Sequence, residues 1–308
     1  GEGSGKKLSG FTLPSGGQDS NRTRIKDTFV SRVAMETNSE SAQTRAVVVY
    51  RNGIYSGVYW FTETINEEYL AEKYGLNEEA IEITDRVHGV QAGTGKRYKK
   101  ALEFAKKNSL KSTENYEKFC SMVDIASLTD TLIQKMYFTD VDLYNQRWWS
   151  GNDGILHSVI FDNDLILMQG DENKIAVERM FRTGSGKYGG NVFYAALRKN
   201  KNWREYFLNR YAELLSGVLS EERLENLFEM TAEEIRPEMK KHLALYKKPK
   251  TVADWEKYVT IAEKELRKKR NEITEQISKE FGISKQEMEA RIAAFSERAE
   301  QNKTSGTT

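Results

Sequence analysis

From Asn191 onward apolar residues recur at helical spacing almost without interruption, and this stretch most limits what the chain can become. Val192, Phe193, Ala196 and Leu197 form one stripe, and Trp203, Phe207, Tyr211, Leu214 and Leu215 form the next. Leu224, Leu227, Phe228 and Ile235 follow. Pro237 is expected just beyond that helix, because its ring removes a donor and clashes with the preceding turn. Trp255 to Phe281 reads as one long charged helix with Tyr258, Ile261, Ala262, Glu265, Leu266, Ile273 and Ile277 on its inward edge. Lys264, Arg267, Lys268, Lys269 and Arg270 read as its solvated face. Gln301 to Thr308 reads as a polar tail.

The part before Asn191 is mixed, which makes the fold class α+β. Phe11-Thr12-Leu13 reads as a strand end entering the turn Ser15-Gly16-Gly17-Gln18-Asp19, and Thr23 to Ala34 as an amphipathic helix. Ala46 to Tyr50 and Tyr55 to Phe61 are β-branched and aromatic runs around Asn52-Gly53, a strong hairpin signal. Asn66 starts a helix that Gly75 can close. Residues 84–113 read as a surface loop with a short helix, and Tyr116 to Met122 and Leu128 to Phe138 as two helices. Ile155 to Phe161 suits a buried strand, with Leu165 to Met168 as its hairpin partner and residues 169–190 as a loop near the site.

Composition excludes several classes. With 38% hydrophobic residues, 30% charged residues and only 3 Pro, the chain can bury a core and is not a disordered one. A formal charge of +1 gives no global field for nucleic acid or a membrane surface, and no apolar run is long enough to span a bilayer. Cys120 is the single cysteine and reads as a core position, so no intrachain disulfide can form. His88, His157 and His242 lack the spacing of a zinc site. The start, Gly1-Glu2-Gly3-Ser4-Gly5-Lys6, reads as the cut end of something longer.

One spacing carries chemistry. Asp142 and Asn145 stand three residues apart, and Asp162 and Asp164 follow at a strand end. A phosphoryl-transfer site needs one carboxylate to orient the attacking hydroxyl, and an amide with a second carboxylate to hold a metal against phosphates. Asp and Asn clusters are also ordinary turn residues, and spacing alone leaves both readings open. Asp19 and Asp27 read as a turn residue and a helix-surface residue, and Trp148 and Trp149 as core or groove wall.

Four segments in order resemble the CotH family, the spore coat protein H-like atypical protein kinases. Phe11 to Asp19 with Thr23 to Asp27 is similar to its Gly-Asp turn and following helix. Tyr50 to Tyr59, with Glu63, resembles its NGxYxGxY…E hairpin, the most specific of the four. Asp142 to Trp149 matches its D-x-x-N-x-R/K-x-aromatic element, and Phe161-Asp162-Asn163-Asp164 stands where the family has D-x-D. Trp203 to Phe207, Pro237 to Met239, Trp255, Arg270 and Phe281 to Ser284 read like its C-terminal portion. Leu165 stands where the family usually has an aromatic residue, and the family's upstream basic stretch with a nucleotide-contacting lysine lies outside this sequence.

The resemblance implies an atypical protein kinase-like fold over residues 6–285, truncated at its N-terminus, with a small β-rich N-terminal portion and a large helical C-terminal lobe. Residues 286–308 would add a C-terminal helix and polar tail. It implies ATP- and Mg²⁺-dependent phosphorylation of Ser or Thr in proteins of the spore coat or cell surface. Asp142 would be the catalytic Asp, Asn145 and Asp162 metal ligands, Asp164 a second carboxylate candidate and Glu63 the nucleotide-lobe acid. Lys96, Arg97 and Lys187 are candidates for a cation serving the phosphates from Gly-rich loops. The alternatives are a non-catalytic surface, adhesion or coat-assembly scaffold, and a helical interaction module whose charged C-terminal helix is the contact surface.

Overall fold

A computed structural model of the chain describes residues 8–184 and 191–305. The α+β expectation holds: two small antiparallel sheets occupy the first half, and packed helices fill the second. The first sheet holds β1 (Phe11–Thr12), β2 (Thr44–Arg51) and β3 (Ile54–Glu63) in the order β1-β3-β2. Asn52 and Gly53 take φ of 52° and 77°, the left-handed pair that lets a two-residue turn follow the twist of its strands. Between β1 and β2 runs α1 (Lys26–Ala34), which buries Phe29, Val30 and Val33. Helix α2 (Glu67–Tyr74) starts where the Asn66 side chain accepts the Tyr69 N–H and ends at Gly75 with φ 64°.

The second sheet departs from expectation. It holds β4 (Glu82–Asp85), β5 (Gly89–Ala92), β6 (Arg147–Ser150) and β7 (His157–Val159) in the order β5-β4-β6-β7. Residues 84–113 are therefore not chiefly a loop: they complete β4, form β5 and carry the twelve-residue α3 (Lys96–Lys107). Strands of four residues have little local signal, and β4 is held by pairing Ile83 with Trp149 and Thr84 with Trp148, distant in sequence. Nor is Leu165 to Met168 a hairpin partner of β7. That edge goes to β6, and Leu167, at φ 49°, instead donates its N–H to the Phe138 carbonyl.

Helices α4 (Thr113–Cys120) and α5 (Ile125–Tyr137) lie close to their expected positions. Within the expected 169–190 loop, a 3₁₀ turn (Asp171–Ile175) leads into α6 (Ala176–Met180). Lys187 falls outside the described residues. The remaining helices are α7 (Val192–Leu197), α8 (Lys201–Leu215), α9 (Glu221–Tyr246), α10 (Val252–Phe281) and α11 (Lys285–Ser305).

Three expectations in this lobe are corrected. Pro237 lies inside α9, whose burial of Ile235, Met239 and Leu243 sustains the helix past the missing donor. Lys269 is fully buried rather than solvated, because Glu272 at 2.8 Å and Glu265 at 3.9 Å compensate its charge. The polar stretch from Gln301 is helical as far as Ser305, and α11 inserts Met288 and Ile292 into the main core.

That core gathers Phe29, Tyr137, Trp203, Tyr211, Phe228 and Trp255 between α1, α5 and the C-terminal helices. A smaller cluster of Ile65, Tyr69, Leu70, Ile83, Trp149 and Val159 covers the other face of the second sheet. Trp148 belongs to the first cluster and Trp149 to the second, as successive residues of a strand must. Both are thus core residues, while Cys120 is only half-buried. Among the described residues no helix is long and apolar enough to cross a membrane.

Candidate functional site

Helix α5 sets where the site begins. Its last turn closes with Thr139 N–H on the Met136 carbonyl and Asp140 N–H on the Lys135 carbonyl, with Thr139 left-handed at φ 56°. This is the Schellman arrangement, in which glycine usually takes the left-handed position. A β-branched residue is strained there, and such strain clusters at functional sites. Asp140 follows, fully buried, with one carboxylate oxygen 2.5 Å from Lys135 Nζ and the other accepting the Asp142 N–H at 2.8 Å. The buried Arg179 donates to the Asp140 carbonyl at 2.5 Å. The loop leaving α5 is therefore held at both its side chain and its backbone.

Asp142 stands half-buried on that loop, one oxygen accepting the Tyr144 N–H at 3.3 Å. Asn145, three residues on, donates its side-chain amide to Asp162 Oδ2 at 2.8 Å. Its amide oxygen accepts no hydrogen bond among the described residues. Asp162 follows β7 in a left-handed conformation, φ 55°. The structure thus joins Asn145 to Asp162 and places Asp142 close enough for its charge to act on Asp162.

Asp164 faces the glycine turn. Its Oδ2 accepts the Gln18 N–H at 2.5 Å, and a Cβ at Gly17, where φ is 51°, would collide with the same carboxylate. Only glycine allows the turn to sit this close. Beside it Asp27 accepts from Asn163 through both backbone (2.7 Å) and side-chain (3.2 Å) nitrogens. Asp19 is buried and accepts from Thr23, Ile25 and Lys26. Both therefore join the site instead of serving as a simple turn residue and a surface residue.

These carboxyls share an electrostatic signature. Burial, then the charges of Asp164 and Asp142, push the Asp162 carboxyl above its ordinary range. Burial and repulsion from Asp27, Asp19 and Asp140 raise Asp164, against the Gln18 hydrogen bond. Asp27 and Asp19 are also raised, chiefly by burial. A group of carboxylates that suppress one another's ionisation is a site whose charge a bound cation would relieve.

The oxygen donors present suit a hard cation that needs few protein ligands. No three His, Cys, Asp or Glu residues among those described stand together as a complete metal cage. Mg²⁺ does not require one, because it is commonly held by one or two protein oxygens together with phosphate oxygens and water. The Asp162 carboxylate and the Asn145 amide oxygen are the atoms that could supply such donors.

Glu63 lies elsewhere, at the end of β3 opposite Phe11, with Oε2 buried and unpartnered among the described residues. A buried acceptor without a donor is one that a ligand N–H can satisfy. Arg97 is spent on the Ala80 and Gly151 carbonyls and the Ser150 hydroxyl, and Lys96 is exposed at the start of α3. Sequence reasoning passed over Asp140, although the five-residue step from Asp140 to Asn145 is that of a kinase catalytic loop. It also passed over Lys26, buried on α1 with Nζ 3.8 Å from Asp19.

No curated protein matches the chain. Residues 2–273 match the family described as CotH kinase protein, and with most of its length inside that match the chain belongs to the CotH family.

Proposed function

We propose that the chain transfers the γ-phosphoryl group of ATP, with Mg²⁺, to Ser or Thr hydroxyls of proteins, its substrates lying in the spore coat or at the cell surface. The hydrogen bond between Asn145 and Asp162 carries this reading, because it fixes a side-chain amide against a carboxylate among mutually repelling carboxyls. Asp162 and the Asn145 oxygen would hold Mg²⁺, which supplies charge neutralisation at the phosphates. Asp164, tied to the glycine turn, would set the position of that turn against the site. Glu63 would accept an N–H from the nucleotide on its buried oxygen.

Asp142 is the base in this scheme. Asp140 has both oxygens engaged and is fully buried, whereas Asp142 is half-exposed on the same loop. The substrate hydroxyl oxygen bonds to the γ-phosphorus as the bond to the β-phosphate oxygen breaks. ADP leaves, and the hydroxyl proton passes to the Asp142 carboxylate. Membership of the CotH family supports the kinase reading.

The test is calorimetric titration of the full chain with Mg-ATP, paired with radiolabelled transfer to a casein-type acceptor and to itself. Metal-dependent ATP binding with transfer is the expected result. Absence of both would favour a coat-assembly scaffold that keeps the fold without the chemistry.

A further inference from the structure

Two cations meet a poor partner beside the carboxylate group. Arg22 directs a guanidinium nitrogen at the Met168 sulfur at 2.6 Å, and Lys26 directs its ammonium at the same sulfur at 3.5 Å. A thioether is a weak acceptor and carries no charge. Lys26 is only 3% exposed, and its nearest carboxylate oxygen, on Asp19, is 3.8 Å away. No oxygen among the described residues lies within hydrogen-bonding distance of its nitrogen. A buried ammonium with three donors is costly in that state.

Both side chains line a cavity of about 280 Å³. Its walls come from the start of α1, from Met168 and Gln169 after Asp164, and from Tyr258 and Ile261 of α10. The fixed backbone around it comes from two indoles: Trp60 Nε1 donates to the Arg24 carbonyl at 2.6 Å and Trp255 Nε1 to the Thr23 carbonyl at 2.8 Å. The cations are thus held in place without being satisfied. Lys26 is followed by Asp27, which holds Asn163 between Asp162 and Asp164, and Met168 follows Asp164 by four residues, so the cavity lies next to the segment that carries these carboxylates. A ligand here must bring several acceptor oxygens and negative charge.

We propose that Arg22 and Lys26 form an oxyanion subsite that takes the terminal phosphate of the nucleotide, with Met168 as the place-holder it displaces. This rests on the nucleotide reading of the site and supplies the cation that Lys96 and Arg97 do not. Charge then alternates from carboxylate to metal to phosphate to cation, which is how phosphoryl groups are stabilised electrostatically.

The experiment uses the full chain with ¹³C-methyl-labelled methionine, the Met168 signal being assigned by Met168→Leu. Saturating Mg-ATP is expected to shift the Met168 methyl resonance. Lys26→Met and Arg22→Met are each expected to weaken Mg-ATP binding about tenfold or more while leaving adenosine binding unchanged, since a charged hydrogen bond is at stake. A Met168 signal unmoved by saturating Mg-ATP, or variants that bind it as the wild type does, would overturn the subsite and leave the nucleotide reading standing. A wild type that binds no Mg-ATP overturns both. Should Lys26→Met fail to fold, Arg22→Met and the Met168 shift decide the question.

Discussion

The Asn145 side-chain nitrogen stands 2.8 Å from Asp162 Oδ2, and this contact joins the loop leaving α5 to the end of β7. Each partner is placed by a different device. The left-handed Thr139 and the Lys135–Asp140 ion pair aim one loop, and the left-handed Asp162 turns the other. Val141 N–H on the Leu165 carbonyl and Leu167 N–H on the Phe138 carbonyl then tie the two segments together.

Asp142 and Asp140 should separate by what their loss damages. Asp142→Asn is expected to lower kcat by about 10²–10⁴-fold, the usual worth of a general base, with Mg-ATP affinity retained. Asp140→Asn leaves the buried Lys135 without its counter-charge and is expected to cost about 3–5 kcal/mol of stability. Urea denaturation and transfer kinetics on the two variants measure this. A folded but inactive Asp140→Asn beside an active Asp142→Asn would move the base to Asp140.

Asp162 is expected to be a stability liability without metal. Burial and the charges of Asp164 and Asp142 raise its carboxyl above the ordinary range. Between the unfolded and folded values the native state binds more protons, so this contribution falls as pH rises through that window and stays lost at pH 7. Asp162→Asn should therefore raise the metal-free melting temperature at pH 7 and abolish stabilisation by Mg²⁺. Thermal melts with and without Mg²⁺ test this, and a variant that melts lower or still responds to Mg²⁺ like the wild type speaks against it.

His242 gives the opposite pH sign. It is buried on α9, accepts the Val58 N–H at Nδ1 (3.2 Å) and sits where a Cβ at Gly57 would press on the ring. Burial, helped by Arg24, lowers its pKa to about 4. Below the ordinary value of 6.5 the unfolded chain protonates first, so stability falls as pH drops towards 4, by at most about 3 kcal/mol. His242→Gln keeps an acceptor for Val58 and should flatten the profile between pH 7 and pH 4.5 in chemical denaturation. An unchanged slope would place the acid sensitivity elsewhere.

The proximity of the candidate residues is partly legible in residue order. Asp142, Asn145 and Asp162 stand out by spacing, and the Asn145–Asp162 hydrogen bond with the charge of Asp142 acting on Asp162 shows them to be neighbours. Asp140 escaped notice because its role depends on Lys135 lying one helical turn back with its charge buried, and burial has no spacing. Arg22 and Lys26 escaped for a related reason: Met168, which brings them together, lies more than 140 positions away.

The amino-acid sequence by itself determined the elements whose causes are local. Asn52-Gly53 sets the β2–β3 hairpin through its left-handed backbone, Asn66 and Gly75 bound α2, and the apolar stripes place α8 and α10. Tertiary structure alone decided that β6 pairs with both β4 and β7, that α9 runs through Pro237, and that Lys269, Lys135 and Lys26 are interior charges. Caps, turns and helical periodicity act between residues a few positions apart, and those energies are present in any window of the chain. A four-residue strand, an interior proline or a buried lysine becomes favourable only when distant partners supply the hydrogen bonds, apolar contacts or counter-charge, and packing selects those partners.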